Sequence, residues 1–130
     1  MKILVMLAVF AFILSAGVSF AADAPAGPGK ILNHVVSLKF KESATPDQIK
    51  TADEAFAALK TKIPGITSLH WGDNVSPEKH DHGYKQCFVL TFASEKDRDV
   101  YLVHPEHQAF GKILGPVLAD VMVIDFWAKE

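Results

Sequence analysis

The order in which strand-like and helix-like patterns follow one another constrains the fold of this chain more than any other feature. Strands place apolar residues at every second position, whereas amphipathic helices repeat them every three or four positions. The first pattern predicts strands at residues 31–40, 66–75, 84–92 and 121–127. The second predicts helices at residues 46–63 and 95–104, the latter continuing through 106–120. The predicted order is therefore β-α-β-β-α-β.

Local residues mark the ends of the predicted helices. Thr45 can cap the first helix, Pro46 suits its first position, and Gln48 completes a capping box. Within the last helical stretch, Gly111, Gly115 and Pro116 should bend or break the helix. Both features indicate helices that begin and stop at definite places.

The predicted order is that of a ferredoxin-like α+β fold, in which a four-stranded antiparallel sheet carries its helices on one face. The other face then has to meet water or a partner. It would include Val35, Cys87 and Val89, which are more apolar than a wetted sheet face usually is. We therefore expect a homodimer in which two copies pack sheet to sheet.

Residues 1–21 have the layout of a secretory signal peptide, with Lys2, an apolar run and small residues before a cut after Ala21. A membrane anchor is the alternative, but the run is shorter than a bilayer requires. Residues 22–30 then predict a flexible leader, and residues 31–130 a single domain, exported to a periplasm or beyond the cell.

The charge of the chain argues against some partners. Its 13 basic and 15 acidic residues give a net charge of −2, and loss of Lys2 would make this −3. No basic cluster is present to attract nucleic acid, and no further membrane segment follows the signal peptide. The lone Cys87 excludes an intrachain disulfide and is expected to be a small buried hydrophobe.

Several short motifs together resemble the stress-responsive A/B barrel domain family, over roughly residues 32–127. The motifs are residues 33–41 (NHVVSLKFK), Trp71-Gly72, Gly83-Tyr84, Thr91-Phe92 and residues 101–107 (YLVHPEH). The resemblance implies a dimeric α/β barrel with a cleft between each sheet and its helices. It does not imply one activity, because some members are structural and one plant branch, of the olivetolic acid cyclase type, closes a polyketide chain without metal or cofactor.

The resemblance also implies a site. Tyr101 and His107 match the acid–base pair of the cyclase branch, and His34 matches a histidine that lines the same cleft, whereas Gln86 replaces another histidine. A neutral imidazole can remove a proton beside a carbonyl, and a phenol can hold the resulting oxyanion. The predicted catalytic pair is thus Tyr101 and His107, and the predicted ligand-cleft residues are His34, Val36, Leu38, Phe56, Gln86 and Phe110.

Three functional hypotheses remain open from the sequence. The first is a dimer that binds a small apolar molecule, and the second is a cofactor-free cyclase or isomerase that uses Tyr101 and His107. The third is a haem-binding or monooxygenase-like barrel, although no residue marks a haem ligand. We predict no cofactor and no metal site, because His80 and His82 lie in a polar loop without further ligands at metal-site spacing.

Overall fold

The structure is a computed structural model that describes residues 30–129. The predicted signal peptide and nearly all of the predicted leader lie outside the described residues. Within the described range, no helix is both long enough and apolar enough to cross a membrane.

Four strands and three helices make up the domain, in the order β-α-β-β-α-α-β. They are β1 (Leu32–Phe40), α1 (Pro46–Lys62), β2 (Ser68–Asp73), β3 (Gln86–Phe92), α2 (Glu95–Val103), α3 (Pro105–Leu114) and β4 (Leu118–Trp127). The strands form one sheet in the order β2-β3-β1-β4, and every pair of neighbours is antiparallel. The predicted ferredoxin-like fold is confirmed.

Helix α1 begins as the sequence predicts. The Thr45 hydroxyl accepts a hydrogen bond from the Gln48 backbone N–H, and the Gln48 side chain accepts one from the Thr45 backbone N–H. Pro46 occupies the first turn, where its missing N–H breaks no helical hydrogen bond. The helix then buries Phe56 and Leu59 against the sheet, together with one acidic residue, Asp53.

The predicted extent of the last helix and strand is wrong. The helical stretch ends at Leu114 rather than at residue 120, and β4 begins at Leu118 rather than at residue 121. Pro116 has no N–H to continue a helix. The chain turns there into the sheet, where the Val117 carbonyl accepts from the Lys41 backbone N–H at 2.8 Å. Both changes therefore begin at Gly115 and Pro116, whereas Gly111 lies within α3 and does not break the helix.

The two faces of the sheet have different surroundings. The helix-facing side supplies fully buried residues such as Leu38, Phe88 and Leu90, which form the core with α1, α2 and α3. The other face has no helix above it among residues 30–129. It is lined by half-buried or exposed apolar side chains: Val35, Cys87, Val89, Met122, Ile124 and Phe126. We call this set the open face.

Candidate active site

Strand β4 lies at the edge of the sheet, and its helix-facing side is largely uncovered. Val121 and Val123 are 41% and 50% exposed, although their neighbours across the ladder, Leu38 and Val36 on β1, are buried. An apolar row of the sheet therefore lies open beside the helices. We call this row and the polar groups beside it the β4 groove: Val121, Val123, Asp125, His34, Tyr101 and His107.

Three charged or polar residues join the sheet to α2 at one end of the β4 groove. Asp125 Oδ1 lies 2.6 Å from Nδ1 of the buried His34, and Asp125 Oδ2 accepts from Arg98 Nη1 at 2.6 Å. Burial alone would raise the pKa of Asp125. The hydrogen bonds from Arg98 and His34 outweigh that effect and hold the pKa below its ordinary value. The carboxylate is therefore charged at neutral pH, and His34 Nδ1 is the protonated nitrogen of the ring.

Tyr101 is fully buried on α2 and lies between two histidines. Its ring centroid is 5.5 Å from that of His34 and 4.5 Å from that of His107. Burial, and then the charge of Asp125, raise the pKa of Tyr101 above its ordinary value. The phenol consequently keeps its proton at neutral pH and can act as a hydrogen-bond donor.

His107 can act as a hydrogen-bond acceptor, whereas Tyr101 acts as a donor. Burial lowers the pKa of the ring and outweighs the opposing effect of the Leu102 carbonyl, so the ring is neutral at pH 7. Nδ1 lies 3.1 Å from the Leu102 carbonyl oxygen, which can only accept, so Nδ1 carries the proton. Nε2 is then left as a hydrogen-bond acceptor or base. The pair thus combines a proton donor and a proton acceptor.

The structure brings together only part of the predicted cleft. Val36, Leu38, Phe56 and Phe110 are buried core residues, and Phe56 stacks on Phe88 with ring centroids 4.0 Å apart. Gln86 lies farther away. It pairs with Leu38, whereas His34 pairs with Leu90. Four residues of strand separate the two positions, or about 13 Å. Gln86 therefore belongs to the opposite end of the interior from Tyr101 and His107.

The polar loop that contains His80 and His82 shows no metal site among the described residues. His80 and His82 are both exposed and line an open depression with the half-buried Asp81. Within residues 30–129, no three histidine, cysteine or acidic side chains are grouped so that they could hold a metal ion. No site is assigned to these histidines.

Sequence reasoning missed two residues of the site, Asp125 and Arg98. Asp125 lies in the otherwise apolar run VMVIDFW. An acidic residue in such a strand indicates that a hydrogen-bonding or basic side chain lies close to it in the fold. Arg98 gives no comparable signal, because a charged residue on a short helix is ordinary. Only the folded chain shows that it reaches across to β4.

Replacing Asp125 with Asn should lower the free energy of unfolding by about 2 kcal/mol at pH 7, because it leaves His34 and Arg98 poorly paired. Asp99→Asn is the matched control, since Asp99 also binds Arg98 but is 63% exposed. Urea unfolding followed by circular dichroism measures both. The Asp125 contribution is fully present above its unfolded pKa of 3.8 and should disappear as the pH falls through the lower folded pKa. Equal losses in the two variants would contradict a special role for Asp125.

Fold and site together define a small ferredoxin-like domain with a tyrosine–histidine pair beside an uncovered strand. The chain belongs to the stress-responsive A/B barrel domain family, whose model matches residues 32–128. This match confirms the resemblance seen in the sequence.

Three similar proteins illustrate the range of the family and fold. The stress-response A/B barrel domain-containing protein HS1 of Arabidopsis thaliana is 35% identical over 100 residues, covering 77% of this chain and 89% of that protein. Olivetolic acid cyclase of Cannabis sativa is 26% identical over 99 residues, covering 76% and 98%. A dimeric ferredoxin-like protein of unknown function from Thermobifida fusca has a TM-score of 0.67 at 25% identity, covering 78% and 93%.

Proposed function

We propose that this chain is an exported homodimer whose β4 groove binds a small, mostly apolar molecule. The groove would form hydrogen bonds to one polar group on that molecule. The observation that carries the proposal is the meeting of Tyr101 and His107 next to His34, whose ladder partner Asp125 lies in one row of β4 with the exposed Val121 and Val123. Export rests on the pattern of residues 1–21, and the mass of the protein from the exported fraction would reveal whether it begins at Ala22.

The open face supports the dimer. Ile124 and Phe126 are 51% and 49% exposed on one protomer, and they adjoin Val35 and Val89 across the sheet. A contiguous apolar face of this kind is unusual on a monomer in water. The Thermobifida fusca relative is described as dimeric, and a second copy of the same face is the simplest cover.

The β4 groove supports a ligand that is mostly apolar and carries one oxygen-bearing group. Val121 and Val123 offer apolar contact, while the Tyr101 hydroxyl can donate and His107 Nε2 can accept a hydrogen bond. Arg98 and Asp125 hold His34 in place at the same end. This combination fits a phenol, an enol or a ketone on a hydrocarbon frame.

Olivetolic acid, for which one relative is named, is a suitable probe. We expect isothermal titration calorimetry to detect binding, and Tyr101→Phe or His107→Ala to weaken it by about tenfold, the loss of one well-placed hydrogen bond. His80→Ala is the control, because His80 is an exposed loop residue away from the groove. Unchanged affinity in both site variants would contradict binding at the β4 groove.

Acid–base catalysis at the same site is a second candidate. The specific observation is that the Leu102 carbonyl fixes His107 with its basic Nε2 free, close to a phenol that remains protonated. Nε2 would remove a proton from the carbon beside a carbonyl, and Tyr101 would donate a hydrogen bond to the enolate oxygen.

Proton exchange tests this candidate without a known substrate. Octyl methyl ketone in D₂O should incorporate deuterium next to its carbonyl faster with the protein than with buffer, as followed by NMR. His107→Ala should reduce the excess rate by about a hundredfold. A rate that is the same for the wild-type protein and this variant would rule out His107 as the base.

A further inference from the structure

The end of the interior opposite Tyr101 and His107 contains a buried carboxyl group that nothing in the fold explains. Asp53 lies on the sheet-facing side of α1 with only 5% of its surface exposed. Its Oδ1 is buried and has no hydrogen-bond partner. A buried acceptor without a donor is costly, and it is rare in native proteins. This group therefore calls for a partner that the described chain does not supply.

Two residues of the sheet add further acceptors at the same place. Asp73 and Gln86 face each other across β2 and β3, and Gln86 Nε2 donates to Asp73 Oδ1 at 3.1 Å. That bond leaves Gln86 Oε1 buried and also without a partner. Asp53 precedes Phe56 by three residues, on the same side of α1, and Phe56 stacks on Phe88 next to Gln86 on this face of the sheet. The carboxyl group thus lies near both sheet residues.

An aromatic ring borders the cluster. Trp71 lies two residues before Asp73 on the same side of β2 and stacks against Phe88, with centroids 5.1 Å apart and planes 5° apart. The Trp71 side of this stack nevertheless remains open, because the residue is 44% exposed. An open indole face beside carboxylates attracts cations.

The cluster contains acceptors and negative charge but no balancing cation. Among residues 30–129, neither Asp53 nor Asp73 takes part in a salt bridge. Burial, and then the charge of Asp73, raise the pKa of Asp53 to about 6, so it is mostly ionised at pH 7. A ligand that fits must bring both hydrogen-bond donors and positive charge.

We propose that Asp53, Asp73, Gln86 and Trp71 form a binding site for the primary ammonium group of a small amine. An ammonium group has three donors, which match the two carboxylates and the Gln86 carbonyl oxygen, and its charge suits the Trp71 ring. A metal ion is less suitable, because only two acidic side chains meet here and no group of three metal-ligating side chains occurs among residues 30–129. This acidic site is separate from the β4 groove, so evidence against one of the two sites would not be evidence against the other.

Hexylamine and its neutral analogue hexanol test the proposal on the intact protein at pH 7.5. NMR should show that hexylamine shifts the Trp71 indole N–H and the Gln86 side-chain amide signals, with hexanol binding at least about tenfold more weakly. Asp53→Asn should weaken hexylamine binding by at least about tenfold. Glu54→Gln, a change of charge at an exposed neighbour on α1, should leave it unaltered.

Three outcomes would overturn the proposal: equal hexylamine affinity in the wild-type and Asp53→Asn proteins, equal binding of hexanol, or shifts confined to residues outside the cluster. Calcium chloride that produces the same shifts as hexylamine would also overturn it. Asp53→Asn keeps the size of the side chain, and a circular dichroism spectrum matching the wild type would establish that the variant folds.

Discussion

Ile124→Glu is expected to convert the proposed homodimer into monomers. Ile124 lies on the open face, directly beside Val35 in the β1–β4 ladder. In a sheet-to-sheet dimer, each copy would bury a carboxylate in an apolar interface. We expect the dissociation constant to rise by more than about a thousandfold, equivalent to about 4 kcal/mol. The protomer itself should stay folded, because Ile124 is 51% exposed within it.

Sedimentation velocity measures this effect, and circular dichroism checks the fold. Val103→Glu provides the matched control, since Val103 is an apolar residue of α2 that is 69% exposed and lies away from the sheet. That variant should remain dimeric. If Ile124→Glu sediments as the wild-type dimer does, the open face is not the interface, and the dimer must form through another surface.

Asp53→Asn is expected to stabilise the protein by about 2 kcal/mol at pH 7.5. The pKa of Asp53 rises from 3.8 in the unfolded chain to about 6 in the fold. Folding therefore opposes ionisation, and above pH 6 the charged group destabilises the native state by about 3 kcal/mol. Asn removes the charge but leaves an acceptor unpartnered, so only part of this penalty is recovered.

The pH dependence of stability distinguishes removal of the Asp53 charge from a simple improvement in packing. Between about pH 4 and pH 6, the folded state binds more protons at Asp53 than the unfolded state does. Wild-type stability should therefore fall as the pH rises through this range and level off above it. The curve for Asp53→Asn should lack that component, cross the wild-type curve between about pH 4 and pH 5, and lie about 1 kcal/mol below it at lower pH. Urea unfolding at several pH values, with Glu54→Gln as the control, measures it. A gain that is the same at every pH would contradict the assigned pKa.

Local sequence patterns predict much of the fold because interactions between residues that are close in sequence determine where many of its elements begin. The capping box of Thr45 and Gln48 and the alternation in β1 are both present in the structure. The boundary between α3 and β4 is different, since the apolar residues 117–119, which follow the helix breakers, would suit either a resumed helix or a strand. There, pairing of Leu118 with Phe40 of β1 decides the outcome, and that contact joins distant parts of the chain.

The site was predicted less completely, for the same physical reason. The resemblance identified Tyr101, His107 and His34, and the structure brings these three rings together. Asp125 lies 91 positions from His34, so no local pattern links the two. Asp53 was missed because helical spacing identifies apolar stripes and passes over a single acidic residue among them.

Native mass spectrometry of the protein, purified gently from the fraction to which the proposed export would deliver it, tests the central claim most directly. We predict the mass of a dimer that carries an additional small molecule, and the added mass would identify the compound to test at Tyr101 and His107. A dimer without added mass would contradict tight binding in the β4 groove. A monomer would contradict the whole account, because the apolar open face would then have no cover.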